Sequence, residues 1–269
     1  MIDAKLSLTT ACGAKCATCP AWKRPANTMD TETFVTVWQK LNDSPLINRI
    51  LINGTGDITA VKDWHDFMEG AAVYKRKFVT MTTNAAHLDY IPGVLDELII
   101  SFNGGTPETY KKTTGLSFEK VSANIRKLYP DIAKLKNAEI HCLIWDGNED
   151  DAEKFAEHWA DFPGRRRISY KVENQNREYF GKADFKDDNR IPCDYLTKLC
   201  VEWDGRVSAC NHDWNNLSSF GNLKTDDVLY VMNHPERRRM MEEHSRGEFK
   251  GICESCNYNV TDSGKVVYV

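Results

Sequence analysis

Cys12-Gly13-Ala14-Lys15-Cys16-Ala17-Thr18-Cys19 places three cysteines within eight residues, directly after the apolar-alternating stretch Lys5-Leu6-Ser7-Leu8-Thr9. A strand that delivers three thiolates into one loop can wrap one face of a cubane iron–sulfur cluster, whose full protein coordination takes four cysteines. Structural zinc uses four protein ligands, usually as two spaced pairs, and this loop has no second pair. The fourth iron is left open for a ligand from outside. The bland alternative is three buried cysteines at the start of a helix.

Working outward, strand-like runs alternate with helical ones. Thr31–Leu41 has apolar residues at Phe34, Val37, Trp38 and Leu41, a helical spacing with Asp30 as N-cap. Strands are expected at Arg49–Ile52, Phe78–Thr83, Leu98–Phe102, Glu139–Trp145 and Arg167–Glu173, and helices at Lys62–Tyr74, Phe118–Tyr129 and Asp151–Phe162. Alternation of this kind implies right-handed βαβ crossovers and a parallel sheet. Asn53-Gly54-Thr55-Gly56-Asp57, Asn84 and Asn103-Gly104-Gly105 all fall at strand carboxyl ends, where barrels of this type carry their active groups. Side-chain alternation turns Ile140, Cys142 and Ile144 toward the helices and His141, Leu143 and Trp145 inward. On the sixth strand Ile168, Tyr170 and Val172 point outward, and Ser169, Lys171 and Glu173 inward. His141, Lys171 and Glu173 are thus the candidate catalytic groups, for proton transfer or substrate binding, with an internal salt-bridged lumen as the alternative. Cys142 reads as a core thiol.

The chain has 269 residues, 41% hydrophobic and 28% charged, with net charge −4. That is room for one sizeable core and a small appended unit, and too acidic for a generally basic nucleic-acid binder. Nine cysteines with no signal-peptide character at the start point to metal or redox chemistry in a reducing compartment, hence a cytoplasmic protein. No apolar run is long enough to span a membrane. Arg165-Arg166-Arg167 and Arg237-Arg238-Arg239 read as a solvated loop and a solvated helix face, with phosphate binding as the alternative. The polar stretch Asn174–Arg190 marks a boundary, giving units 1–180 and 181–269. The second unit holds Cys193, a hairpin from Cys200 to Cys210 with Asp204-Gly205 at its turn, a helical stretch ending near His244, and Cys253-Glu254-Ser255-Cys256.

The C-x3-C-x2-C loop after a first strand resembles the radical S-adenosylmethionine enzymes. The C-terminal cysteines resemble that family's SPASM/Twitch extension, in its short form because no cysteine follows Cys256. The resemblance implies an α/β fold, a partial (β/α)6 TIM-type barrel with a small C-terminal Twitch domain of β-hairpin plus helix. It implies S-adenosyl-L-methionine chelated by the open iron, and two [4Fe–4S] clusters: one radical-generating, on Cys12, Cys16 and Cys19, and one auxiliary, on Cys193, Cys210, Cys253 and Cys256. Cys200 competes with Cys193, and a structural zinc site is the rival for the whole quartet. Cofactor contacts are carried over onto Gly54, Thr55, Gly56, Asp57, Asn84, Ser101 and Asn103. This chain departs from the family at Thr18, where an aromatic residue is common, at Asp57, where glutamate is commoner, and before Gly115, where one branch has arginine and this chain has Thr114.

The implied activity is generation of a 5′-deoxyadenosyl radical and oxidation or rearrangement of a small polar substrate by hydrogen abstraction, with the auxiliary cluster moving an electron. The layout is similar to that of the 2-deoxy-scyllo-inosamine dehydrogenases. The implied electron donor is a flavodoxin or ferredoxin, and no membrane partner is implied. The alternatives are a peptide side-chain maturase, rearrangement of a nucleotide or modified base, and a non-enzymatic zinc or iron–sulfur module. The start of the chain at the first strand counts against the maturase, because such relatives carry a leader-binding domain ahead of the barrel.

Overall fold

The computed structural model describes residues 1–145, 147–170, 191–210, 212–213, 217–254, 256 and 266–269. Among these, six strands alternate with helices as expected: β1 (Ile2–Leu6), α1 (Thr31–Asp43), β2 (Ile47–Ile52), α2 (Trp64–Val73), β3 (Phe78–Thr83), β4 (Glu97–Ser101), α3 (Pro107–Thr114), α4 (Phe118–Lys127), α5 (Tyr129–Ile132), β5 (Asn137–Ile144), α6 (Asp151–His158) and β6 (Arg165–Tyr170). The C-terminal part adds β7 (Leu199–Val201), β8 (Val207–Ser208), α7 (Val228–Met232), α8 (Pro235–Ser245) and β9 (Val266–Tyr268). All nine strands form one sheet in the order β8-β7-β1-β2-β3-β4-β5-β6-β9. It is parallel from β7 to β6, with an antiparallel strand at each edge. No helix among the described residues is long and apolar enough to cross a membrane.

One face of the sheet is apolar and covered by helices: Leu6, Ile50, Ile52, Val79, Met81, Leu98, Ile100, Ile140, Cys142 and Ile168 are all buried. Cys142 is thus a core thiol, as its place in the alternation implies. The opposite face is polar and curved. Arg49 on β2 reaches across β3 to Glu97 on β4 at 2.9 Å, and Arg165 on β6 reaches across β5 to the same carboxylate at 3.4 Å. Arg167 pairs with Glu139 at 2.7 Å, and Thr80 donates to Glu97 at 2.9 Å. This ladder occupies the amino-terminal half of the strands, with both carboxylates about nineteen-twentieths covered. A salt-bridged floor is therefore present at the end of the strands remote from the cysteines. It also corrects the reading of the first arginine run, which lies on β6 rather than in a solvated loop.

Several boundaries differ from expectation. β1 ends at Leu6, where its pairing with β2 ends at Ile52. Ser7 to Thr10 continue as buried chain outside the ladder and carry the backbone into the cysteine loop. The helical stretch before His244 is two helices, because Pro235 cannot donate the bond that would continue α7 and instead opens α8. Its Arg237 is 0% exposed, whereas Arg238 and Arg239 are exposed, so the solvated-face reading holds for two residues of the second arginine run and fails for Arg237. The hairpin turn is one residue longer than the two expected: Glu202 pairs with Arg206, and Gly205 takes the left-handed conformation at φ 81°. The expected boundary at 180/181 lies outside the described residues.

Behind β4, Phe102 stacks on Tyr110 of α3 at 4.2 Å and meets Phe118 of α4 and Trp159 after α6 edge-on at 5.2 and 4.9 Å. This aromatic nucleus fixes α3, the helix that receives the cysteine loop.

Candidate active site and auxiliary metal centre

The cysteine loop is tied at its neck, its middle and its base. At the neck, Thr9 Oγ1 donates to the Asn27 carbonyl, Thr10 Oγ1 donates to that of Pro25, both at 2.7 Å, and Met29 N donates to Leu8 O at 2.9 Å. In the middle, the N–H groups of Lys15 and Ala17 donate to Thr114 and Thr113 at 2.8 Å, using carbonyls that the end of α3 leaves unpaired. At the base, Asp57 N donates to the Ala11 carbonyl at 2.8 Å. This close seating explains the two glycines after β2. A Cβ on Gly56 would stand 2.4 Å from the Ala11 oxygen, and one on Gly54 2.3 Å from Ser7 Oγ. Cys12, Cys16 and Cys19 are partly buried and lie close enough to oppose one another's ionisation. Burial first, with neighbouring thiols and Asp57 adding, pushes Cys12 up to about 11 and Cys16 up to about 12. Three thiols in one loop that resist becoming anions together suit a polycationic iron core, which makes all of them thiolates.

Asp57 and Asn84 organise the rim next to this loop. The Asp57 carboxylate, 5% exposed, accepts from Thr59 N and Oγ1, from Thr83 Oγ1, and from Asn84 N at 2.7 Å. It locks the end of β3 to the end of β2. Asn84, held this way, donates Nδ2 to Cys12 Sγ at 3.5 Å. Ala85 follows with φ 58°, a left-handed conformation that a non-glycine residue adopts at a cost. Asn103 Oδ1 accepts from Leu143 N at 2.9 Å and ties the end of β4 to β5. Ser101 lies half-buried beside His141 in the ladder. Thr55 Oγ1 and Asn53 Oδ1 are buried with no hydrogen-bond partner among the described residues. Sequence reasoning passed over Asn53, although its place one residue after a strand matches that of Asn84.

In the C-terminal part, Cys193, Cys210, Cys253 and Cys256 come from three separate stretches and are all partly buried. Burial and then Cys256 raise Cys193 to about 11, and burial raises Cys210, with Cys200, Cys256 and Cys253 adding. Cys256 thus acts on both Cys193 and Cys210, and Cys253 on Cys210, while among the described residues no group of three His, Cys, Asp or Glu side chains is arranged to hold a metal ion. Cys193 N donates to His244 Nδ1 of α8 at 3.3 Å, which sets the loop against that helix. Cys200 is 1% exposed on β7, opposite Lys5 of β1.

Residues 193–257 match the family model of SPASM, an iron-sulfur cluster-binding domain. The whole chain resembles solved structures at low identity. BtrN in complex with AdoMet and 2-DOIA is 15% identical with TM-score 0.61, over 96% of this chain and 93% of that one. The anSMEcpe structure with bound AdoMet is 14% identical with TM-score 0.66, over 95% and 86%. Streptococcus suis SuiB bound to precursor peptide SuiA is 12% identical with TM-score 0.68, over 89% and 66%. The fold is that of the radical S-adenosylmethionine enzymes, with an SPASM-type end. None of the curated proteins matches the sequence.

Within the radical S-adenosylmethionine fold, the cysteine loop sits at the carboxyl ends of β1 and β2, and Asn84, Ser101 and Asn103 continue that rim across β3 and β4. His141 lies on the polar face, its Nε2 2.9 Å from Ser169 Oγ. Burial, helped by the positive charge of Arg167, lowers its pKa to about 3, so the imidazole is neutral. Lys171 and Glu173, the other two candidate catalytic groups, lie outside the described residues.

Proposed function

We propose that this chain is a radical S-adenosylmethionine enzyme that oxidises a small polar substrate by hydrogen abstraction, with the closed C-terminal cluster taking up an electron. The observation that carries the reading is the three-cysteine loop, seated on β2 and α3 and contacted by Asn84, at the mouth of the polar face. Cys12, Cys16 and Cys19 would hold a [4Fe–4S] cluster with one iron left for an outside ligand, and Cys193, Cys210, Cys253 and Cys256 would hold a second. S-adenosyl-L-methionine bound at the open iron supplies, on one-electron reduction, a 5′-deoxyadenosyl radical. Gly54 to Asp57, Asn84, Ser101 and Asn103 line the place where that cofactor sits. His141 and Ser169 offer a neutral hydrogen-bonding pair that orients a substrate hydroxyl, and at its low pKa His141 does not store a proton. Transfer of a hydrogen atom from a carbon bearing a hydroxyl, followed by loss of one proton and one electron, would leave a carbonyl, and a cluster on the C-terminal cysteines would supply the acceptor for that electron. An external one-electron donor, a flavodoxin or ferredoxin, supplies the first electron.

A second reading, modification of a peptide side chain, is favoured by the likeness to SuiB bound to its precursor peptide and to anSMEcpe with bound peptide. The arginine runs on which the nucleotide reading calls already have partners within the chain, though Arg238 and Arg239 are exposed. Arg165 and Arg167 pair with Glu97 and Glu139, Arg166 donates to the Ala156 carbonyl, Arg237 is buried, and Arg238 and Arg239 bond Asn233, Glu236 and Glu243. Anaerobic turnover with deuterated polyols, amino sugars and peptides distinguishes the two readings. Deuterium passing into 5′-deoxyadenosine from a small polyhydroxy compound is the expected result. Transfer only from peptides establishes the second reading and overturns the first.

A further inference from the structure

Two cations, one buried and one half-buried, lie close to the C-terminal cysteines. Arg237 of α8 is 0% exposed. Its Nη2 donates to the carbonyls of Leu196 and Lys198, the latter at 2.5 Å, and its guanidinium carbon lies 5.5 Å from the Phe220 ring centre. Among the described residues its Nε and Nη1 have no hydrogen-bond partner and no carboxylate forms an ion pair with it. The ionisable group that acts on it is the Cys200 thiol. Lys5 approaches from the other side. It stands opposite Cys200 in the β1–β7 ladder, donates Nζ to Tyr195 Oη at 2.9 Å, and lies 4.3 Å from that ring's centre. Burial lowers its pKa, with Lys198 adding and Cys200, Asp194 and Cys210 opposing. An unpaired buried guanidinium is costly, and two carbonyls do not neutralise it. A cubane held by four thiolates is net anionic in both oxidation states and becomes more so on reduction.

We propose that Lys5 and Arg237 are positioning charges for the auxiliary cluster, a fixed positive wall that raises its reduction potential so that it accepts an electron from the substrate. The inference rests on the reading of Cys193, Cys210, Cys253 and Cys256 as cluster ligands. Reduction potentials of such clusters follow net charge, hydrogen bonding to the sulfurs and burial, and a charge in a poorly polarisable interior acts more strongly than one in water. A cation held nearby stabilises the more negative, reduced form.

The test is a potentiometric titration followed by electron paramagnetic resonance, on full-length reconstituted protein. In Lys5→Met the auxiliary midpoint is expected to fall by about a tenfold change in the one-electron equilibrium, about 59 mV. Lys5→Arg restores it, and the midpoint of the Cys12/Cys16/Cys19 cluster stays unchanged. Arg237→Gln shifts the auxiliary midpoint in the same direction. Should that variant fail to assemble, Lys5→Met alone decides. A full iron complement with an unmoved auxiliary midpoint in Lys5→Met overturns the inference and leaves the cluster reading intact. Zinc in place of iron at the C-terminal quartet of the wild type overturns both.

Discussion

Gly56 shows how much one hydrogen atom in place of a side chain decides. The cysteine loop rests on the backbone at this position, and a Cβ would overlap the Ala11 and Thr9 oxygens at 2.4 and 2.5 Å. Backbone on both sides leaves nothing flexible to give way. Gly56→Ala is expected to displace the loop and abolish loading of its cluster while sparing the C-terminal one, so iron per chain falls by about half, from about eight to about four. Iron and sulfide analysis of the reconstituted variant checks this; full loading would show that the loop does not depend on the contact. His141 carries the second prediction at this scale. Its folded-state pKa of about 3 lies below the unfolded value of 6.5, so the unfolded chain takes up a proton that the folded chain refuses. Stability is complete above pH 6.5 and is lost as pH falls toward 3, at up to about 1.4 kcal/mol per unit. His141→Gln removes this contribution, and its denaturation midpoint falls less steeply than that of the wild type between those values.

At the scale of elements, Phe102 joins the core to the chemistry. It packs on Tyr110, Phe118 and Trp159, and so fixes the helix whose terminal carbonyls accept from Lys15 and Ala17. Phe102→Ala is expected to cost about 3–5 kcal/mol, and to loosen α3 beneath the cysteine loop. Faster amide exchange at Lys15 and Ala17 than at β3 amides is the sign to look for; uniform destabilisation would detach the nucleus from the site. The elements that sequence patterning made legible are those with their own local signal. Asp30 caps α1 by accepting from Thr33 N, and the alternation around His141 sorts β5 into an apolar and a polar face. α3 went unread because Pro107 to Thr114 holds one large apolar residue, Tyr110, and threonines that favour strands. Its start is fixed instead by a capping box between Thr106 and Thr109, a threonine pair in place of the usual glutamate. Arg237 was misread for a different reason: charge alone says exposed, and only the packing of α8 against the chain between Cys193 and Cys200 buries it.

Across the whole molecule, the C-terminal part is tied into the parallel sheet that carries the cysteine loop. β7 pairs with β1, the strand that leads into the cysteine loop, and β9 closes the opposite edge against β6. Lys40 of α1 adds a further link, donating to the carbonyls of Leu223 and Asp226 at 2.7 and 2.8 Å. No local pattern announces such edge pairings, since β1 and β7 lie nearly two hundred residues apart and β6 and β9 about a hundred, whereas the spacings of the two cysteine sets are local and could be read directly. The central claim is that the loop of Cys12, Cys16 and Cys19 holds an iron which activates S-adenosylmethionine. The direct measurement is 5′-deoxyadenosine formed by anaerobically reconstituted protein given S-adenosylmethionine and a low-potential reductant, beside a Cys16→Ala variant that keeps its C-terminal cluster. Formation by the wild type and loss in the variant is the predicted result; no product from fully loaded wild type, or equal product from both, would contradict it.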